Sequence, residues 1–167
     1  MTAATSQTSS SSQMSAEGVL RQLLSLLDGL SSAQDIRVAT LQASFDVTLA
    51  ERSGRYAFAA PLTSAWWLMI EWDPAHAAGP QLSLAFTAAD PEANPSMTPI
   101  CRTDVESLAA ALRERGFKRE TYRAEHGRVI HEQFTREALS VLVYPRGESD
   151  DSPEKAAHAC VHRVHVR

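Results

Sequence analysis

Cysteine is nearly absent from this chain. The two residues, Cys101 and Cys160, are too few for a disulfide scaffold. Their spacing leaves one bridge open; the simpler expectation is two reduced thiols in a cytoplasmic protein. Other absences exclude more. Residues 1–16 lack the positive and apolar regions of a secretory signal. No apolar run approaches the ~18 residues of a membrane span. Basic charge is not in excess: the net charge is −4 and the pI about 5.8. That argues against nucleic acid or an anionic membrane as the main partner. There is no G-x-S-x-G elbow, P-loop, H-E-x-x-H or dinucleotide-binding glycine pattern. No catalytic signature rises above background.

What is present is an ordinary globular composition, 44% hydrophobic and 22% charged. At 167 residues the chain is read as one domain able to fold without a staple. Residues 1–14, rich in Ser and Thr, are expected to be a disordered leader, because they cannot bury enough apolar surface to offset their ordering entropy. The alternative is an uncharged export leader. Residues 15–167 are then a single α+β domain. The Ala- and Arg-rich usage gives a bacterial impression.

All three tryptophans fall in one stretch, Trp66 to Trp72. Read with period two, Trp66, Leu68, Ile70 and Trp72 share one face, and Trp67, Met69 and Glu71 share the other. This predicts a central strand under a Leu-rich first helix. That helix starts at Ser15 and presents Val19, Leu20, Leu23, Leu24, Leu27 and Leu30. Leu41 to Leu49 alternate as a strand. Ser53-Gly54 is a turn, and Arg55 to Ala60 return. Leu82, Leu84 and Phe86 make a fourth strand.

A second helix over 104–115 opens on a capping box, Thr103 to Glu106, and stops at Gly116. Residues 118–125 and 128–135 then read as a hairpin around His126-Gly127, with a helix through Ile130, Phe134 and Leu139 as the competing reading. Residues 138–144 and 157–166 add two strands, with an acidic surface loop between them at 147–155. The predicted fold is α+β with the order α-ββββ-α-ββββ. It has two helices and an antiparallel sheet of about eight strands, in two four-stranded halves or one curved whole. Leu23–Gly29 and Leu108–Gly116 overlay as a weak sign of duplication.

Candidate chemistry is sparse. His158, Cys160 and His162 alternate along the last strand, so they share a face and could hold zinc, with His131 as a fourth ligand. The competing reading is a His-rich strand with exposed imidazoles, needing no cofactor. Cys101 sits before the capped helix and could be a nucleophile, given a base among His76, His126 and His131. Glu71 and Asp73 flank Trp72, where a solvated rim is the simpler reading. Residues 113–137 mix seven basic with five acidic side chains, either a solvated hairpin or a recognition surface.

The function expected from this is a non-enzymatic, cytoplasmic protein-binding module, foremost a toxin-neutralising inhibitor of the immunity type. Trp67, Met69, Arg119, Tyr122 and Arg123 are its candidate contacts, and a homodimer is allowed. A secretion chaperone, an exported effector, or a small metal-binding enzyme or sensor are the alternatives.

Overall fold

A computed structural model describes residues 14–167. The expected leader therefore falls almost wholly outside the described residues. The chain forms α1 (Ala16–Asp28), α2 (Val38–Phe45), β1 (Ala50–Arg52), β2 (Arg55–Pro61), β3 (Trp66–Asp73) and β4 (Gln81–Ala88). It continues with α3 (Val105–Glu114), β5 (Lys118–Arg123), β6 (Val129–Arg136), β7 (Leu139–Gly147), α4 (Pro153–Ala157) and β8 (Ala159–Val166). The eight strands make one antiparallel sheet in the order β1-β2-β3-β4-β8-β7-β6-β5. Each half runs from an outer edge to the centre, and the last strands of the two halves pair. The halves are thus joined in one sheet, each preceded by a long helix. No described helix is long and apolar enough to cross a membrane.

The α+β class and the antiparallel sheet are as the sequence predicts, but two helices are added. The first is α2, where a strand was expected over 41–49. Val38, Leu41 and Phe45 also fit helical spacing, and in the helix Leu41 and Phe45 are buried while Ala43 is exposed. Asp46 ends it in the left-handed conformation (φ 52°). Alternation alone did not separate the two periods, and packing against α1 decides for the helix. The second addition is the short α4, inside the expected acidic loop. Ser152 caps it, accepting from the Lys155 amide, and Pro153 supplies its first turn.

The α1 helix starts as expected. Ser15 Oγ accepts from the Gly18 amide, and Val19, Leu20, Leu23 and Leu27 are all buried. For α3 the cap is Asp104 rather than Thr103: its carboxylate accepts from the Ser107 amide at 2.7 Å. Glu106 is consequently free of capping and turns to Arg119. Gly116 (φ 84°) ends the helical segment, and Phe117 folds back into the core. The region 128–137 is strand β6, not helix, because it pairs on both sides, with β5 and β7.

One core lies between the helices and one sheet face. Trp66, Leu68, Ile70 and Trp72 of β3 join it as predicted, with Leu82, Leu84 and Phe86 of β4 and Val164 and Val166 of β8. Trp66 donates from Nε1 to the Ser96 carbonyl, so burying its one polar atom costs little. Arg136 gathers the helix ends. It donates to the Leu27 and Leu30 carbonyls that close α1 and to the Arg115 carbonyl that closes α3, and its guanidinium lies over the Phe117 ring.

Candidate functional site: the helix-free sheet face and the His158 cluster

The pleat sends every second residue away from the helices. On that second face the register aligns Ala59 with Met69, Met69 with Ala85, and Ala85 with Arg163. The next row joins Ala57, Glu71, Ser83, His165, Leu142 and Gln133. Among the described residues no helix lies over this face. Trp67 is 38% exposed and Tyr122 43% exposed, both high for large aromatics.

The face has an internal order of its own. Tyr122, His131, Tyr144 and His165 form a continuous ladder across β5 to β8, with ring centroids 4.7, 5.3 and 5.1 Å apart. Each ring supports the next, which holds them against rotation. Leu142 beside them is buried, yet it stands apart from the main core. Burial, then Arg163 and Arg167, pushes the His165 pKa down to about 4. Burial lowers His131 as well. Both imidazoles are therefore neutral near pH 7, and the ladder stays uncharged.

Three of the candidate contacts, Trp67, Met69 and Tyr122, thus share one open face. The other two do not belong to it. Arg119 lies on the helix face, where it bonds Glu106 and the buried Glu132. Arg123 donates to the Gly127 carbonyl and closes the β5–β6 loop. An arginine on a charged hairpin gave no sign of which face it served. The signal lay in Glu132, which shares the pleat side of Phe134 and needed a buried cation.

Of the expected metal set, His158 and Cys160 lie together and His162 is not among them. Cys160 and Cys101 form a disulfide, with their Cα atoms 5.2 Å apart. This overturns the expectation of two reduced thiols and leaves Cys101 no nucleophilic role while bridged. His162 lies farther along β8, and Cys101 takes its place beside His158 and Cys160. His131 stands in the aromatic ladder. His158 itself is held between two carboxylates: Nε2 is 2.9 Å from Asp104 Oδ2, and Nδ1 is 2.7 Å from Glu148 Oε2. Asp104 first, then Glu148, raises the imidazole pKa. The cluster joins the start of α3 to the start of β8, an arrangement no local spacing announced.

Gly147 makes this clamp possible. A Cβ at Gly147 would meet the Ala156 carbonyl oxygen at 2.5 Å. The close approach lets the Glu148 amide bond the Lys155 and His158 carbonyls, which places the Glu148 carboxylate. Gly147→Ala is expected to cost about 1–3 kcal/mol through this backbone clash. Urea unfolding of the variant checks it, and an unchanged midpoint would contradict the contact.

Asp73 pairs with Arg55, and Glu71 is exposed on the open face. Comparisons of the chain with protein-family models, with curated proteins and with solved structures return no match.

Proposed function

We propose that this chain is a protein-binding module that works through the helix-free face of its sheet. The observation behind the reading is the eight-stranded sheet whose described helices lie over one face only. Its other face presents Trp67, Met69 and a rigid, uncharged aromatic ladder. Aromatic residues and Met are enriched at protein interfaces, and side chains already fixed lose little entropy on binding. The acidic balance and the mixed polar rim suit a protein partner better than nucleic acid. A stoichiometric toxin-neutralising inhibitor is the leading form of this module, and a secretion chaperone the second. Arg119 and Arg123 leave the contact set.

One observation favours a different compartment for the same module. A bridge such as Cys101–Cys160 persists where the surroundings are oxidising. That supports the exported form, with residues 1–14 as its leader, over a cytoplasmic one. Deleting residues 1–14 should then abolish export and leave the fold intact.

The binding test is a pull-down with the full chain, followed by calorimetry on the captured protein. Trp67→Ala is expected to weaken binding by roughly 2 kcal/mol, about 30-fold. Arg102→Ala, exposed on the loop before α3, should leave the affinity unchanged. A chain that remains monomeric and captures no stoichiometric protein would sink the proposal. So would a Trp67→Ala variant that binds as tightly as wild type.

A further inference from the structure

The disulfide has a third donor beside it. The sulfurs of Cys101 and Cys160 and a ring nitrogen of His158 all lie within 4.8 Å of one another. They come from two segments far apart in sequence. Cys101 follows the turn at Thr98–Ile100, while His158 and Cys160 bracket the start of β8. A backbone bridge between Asp104 and Cys160 holds the two segments together. Both cysteines are buried, whereas the His158 side chain is partly open to solvent and offers a path in.

We propose that the reduced chain binds one zinc ion through Cys101 Sγ, Cys160 Sγ and the His158 imidazole, with the Asp104 carboxylate as fourth ligand. Two thiolates, an imidazole and a carboxylate suit a borderline-soft ion with tetrahedral preference. The neighbours fit the remaining demands. When Nε2 turns to the ion, Asp104 gives up its hydrogen bond there and becomes available as a ligand. Nδ1 keeps its bond to Glu148, which sets the tautomer and aims the ring, as a carboxylate commonly does for a zinc-bound histidine. His162 takes no part, so the site differs from the strand-alternation set.

The two states exchange by a balanced reaction. A dithiol reductant passes two electrons and two protons to the Cys101–Cys160 bridge and becomes a disulfide itself. Zinc then displaces both thiol protons to solvent and meets two thiolates. A disulfide-class oxidant reverses the sequence. The sulfurs give up two electrons, the S–S bond re-forms, and the ion leaves. The bridge and the ion therefore exclude each other, and either one ties the start of β8 to the segment before α3.

The test uses the full chain, reduced with a phosphine and freed of oxygen, with cobalt(II) as the optical probe and zinc as competitor. One equivalent of cobalt should give thiolate-to-cobalt charge-transfer absorption and the visible bands of a tetrahedral ion, bleached by zinc. The oxidised protein should give neither. Glu148→Gln should keep the spectrum and weaken binding roughly 10–100-fold, as expected for loss of an orienting carboxylate. His158→Ala should weaken it further, with circular dichroism verifying that each variant is folded. If reduction unfolds the chain, zinc should restore the native spectrum, because the binding energy then becomes folding energy. The proposal fails if the reduced chain takes up no cobalt, or if the spectrum lacks thiolate charge transfer. It fails equally if His158→Ala binds as well as wild type, or if zinc neither raises the unfolding temperature nor restores structure.

Discussion

Replacing Arg119 by alanine is expected to destabilise the protein by roughly 3–5 kcal/mol, the usual cost of removing one partner from a buried ion pair. The reason is Glu132, which is only 5% exposed on the helix face of β6. Its carboxylate accepts from Arg119 Nε at 3.1 Å and Nη2 at 2.9 Å, and from Thr121 Oγ1 at 2.6 Å. Without Arg119 one bond remains, and a buried charge has no counter-ion. The same guanidinium reaches Glu106 at 2.7 and 2.9 Å, so α3 also loses its tie to β5. Thermal unfolding should fall by on the order of 10 °C for a chain of this size. Arg119→Met combined with Glu132→Leu should recover most of the loss, since an apolar pair leaves no buried charge unpaired. A fully stable Arg119→Ala protein would mean that the pair is not buried as described.

The pair also sets part of the acid limb. Burial works to raise the Glu132 pKa, but bonds from Arg119 and Thr121 outweigh it, and the net shift is downward from 4.5. The Arg119 bonds lower Glu106 as well. A carboxylate with a depressed folded pKa contributes stability that is complete above its unfolded value. That contribution is lost as pH falls through the folded one. Stability should therefore decline below about pH 4.5 in wild type. The decline should be shallower in the Arg119→Met, Glu132→Leu protein, measured by urea unfolding at stepped pH.

Reducing the Cys101–Cys160 bridge has the second large effect. It closes a loop across a sequence separation of 59 residues. Chain-entropy arithmetic for such a loop gives about 4 kcal/mol. The reduced protein, in metal-free buffer, should unfold at correspondingly lower denaturant. Thiol titration of the unfolded but unreduced chain should find no free thiol. The bridge belongs to the helix side of the sheet. Reduction at a temperature where the fold survives should therefore leave partner binding at Trp67 unchanged. A midpoint that does not move on reduction would show that the bridge constrains nothing.

Much of this architecture was legible in the sequence because its causes are local. The Trp66–Trp72 alternation assigned the core face of β3 without reference to any neighbour, since side chains of a strand alternate by geometry. Gly116 marked the end of the α3 segment because it provides the left-handed stop. Ser53 and Gly54, both at positive φ, closed the first hairpin as their types foretold.

What the sequence left open depended on partners far away along the chain. Residues 38–49 satisfy two periods at once, and only α1 lying alongside selected the helix. Glu132 looked like one more surface charge until β5 brought Arg119 across to it. The cysteines gave no sign of pairing, because a separation of 59 residues says nothing about distance in space. The His158 cluster draws Asp104 and Glu148 from either side, and neither was visible from the strand that bears it. The sequence by itself determined strands β2 to β8, the two long helices and which side of β3 is core. Tertiary structure decided the rest: that the Trp67 side is not covered by any described helix, that Arg119 faces inward, and that Cys101 rather than His162 joins His158 and Cys160. Local conformation follows from short-range sterics and hydrogen bonding, while burial and pairing follow from contacts that no single segment contains.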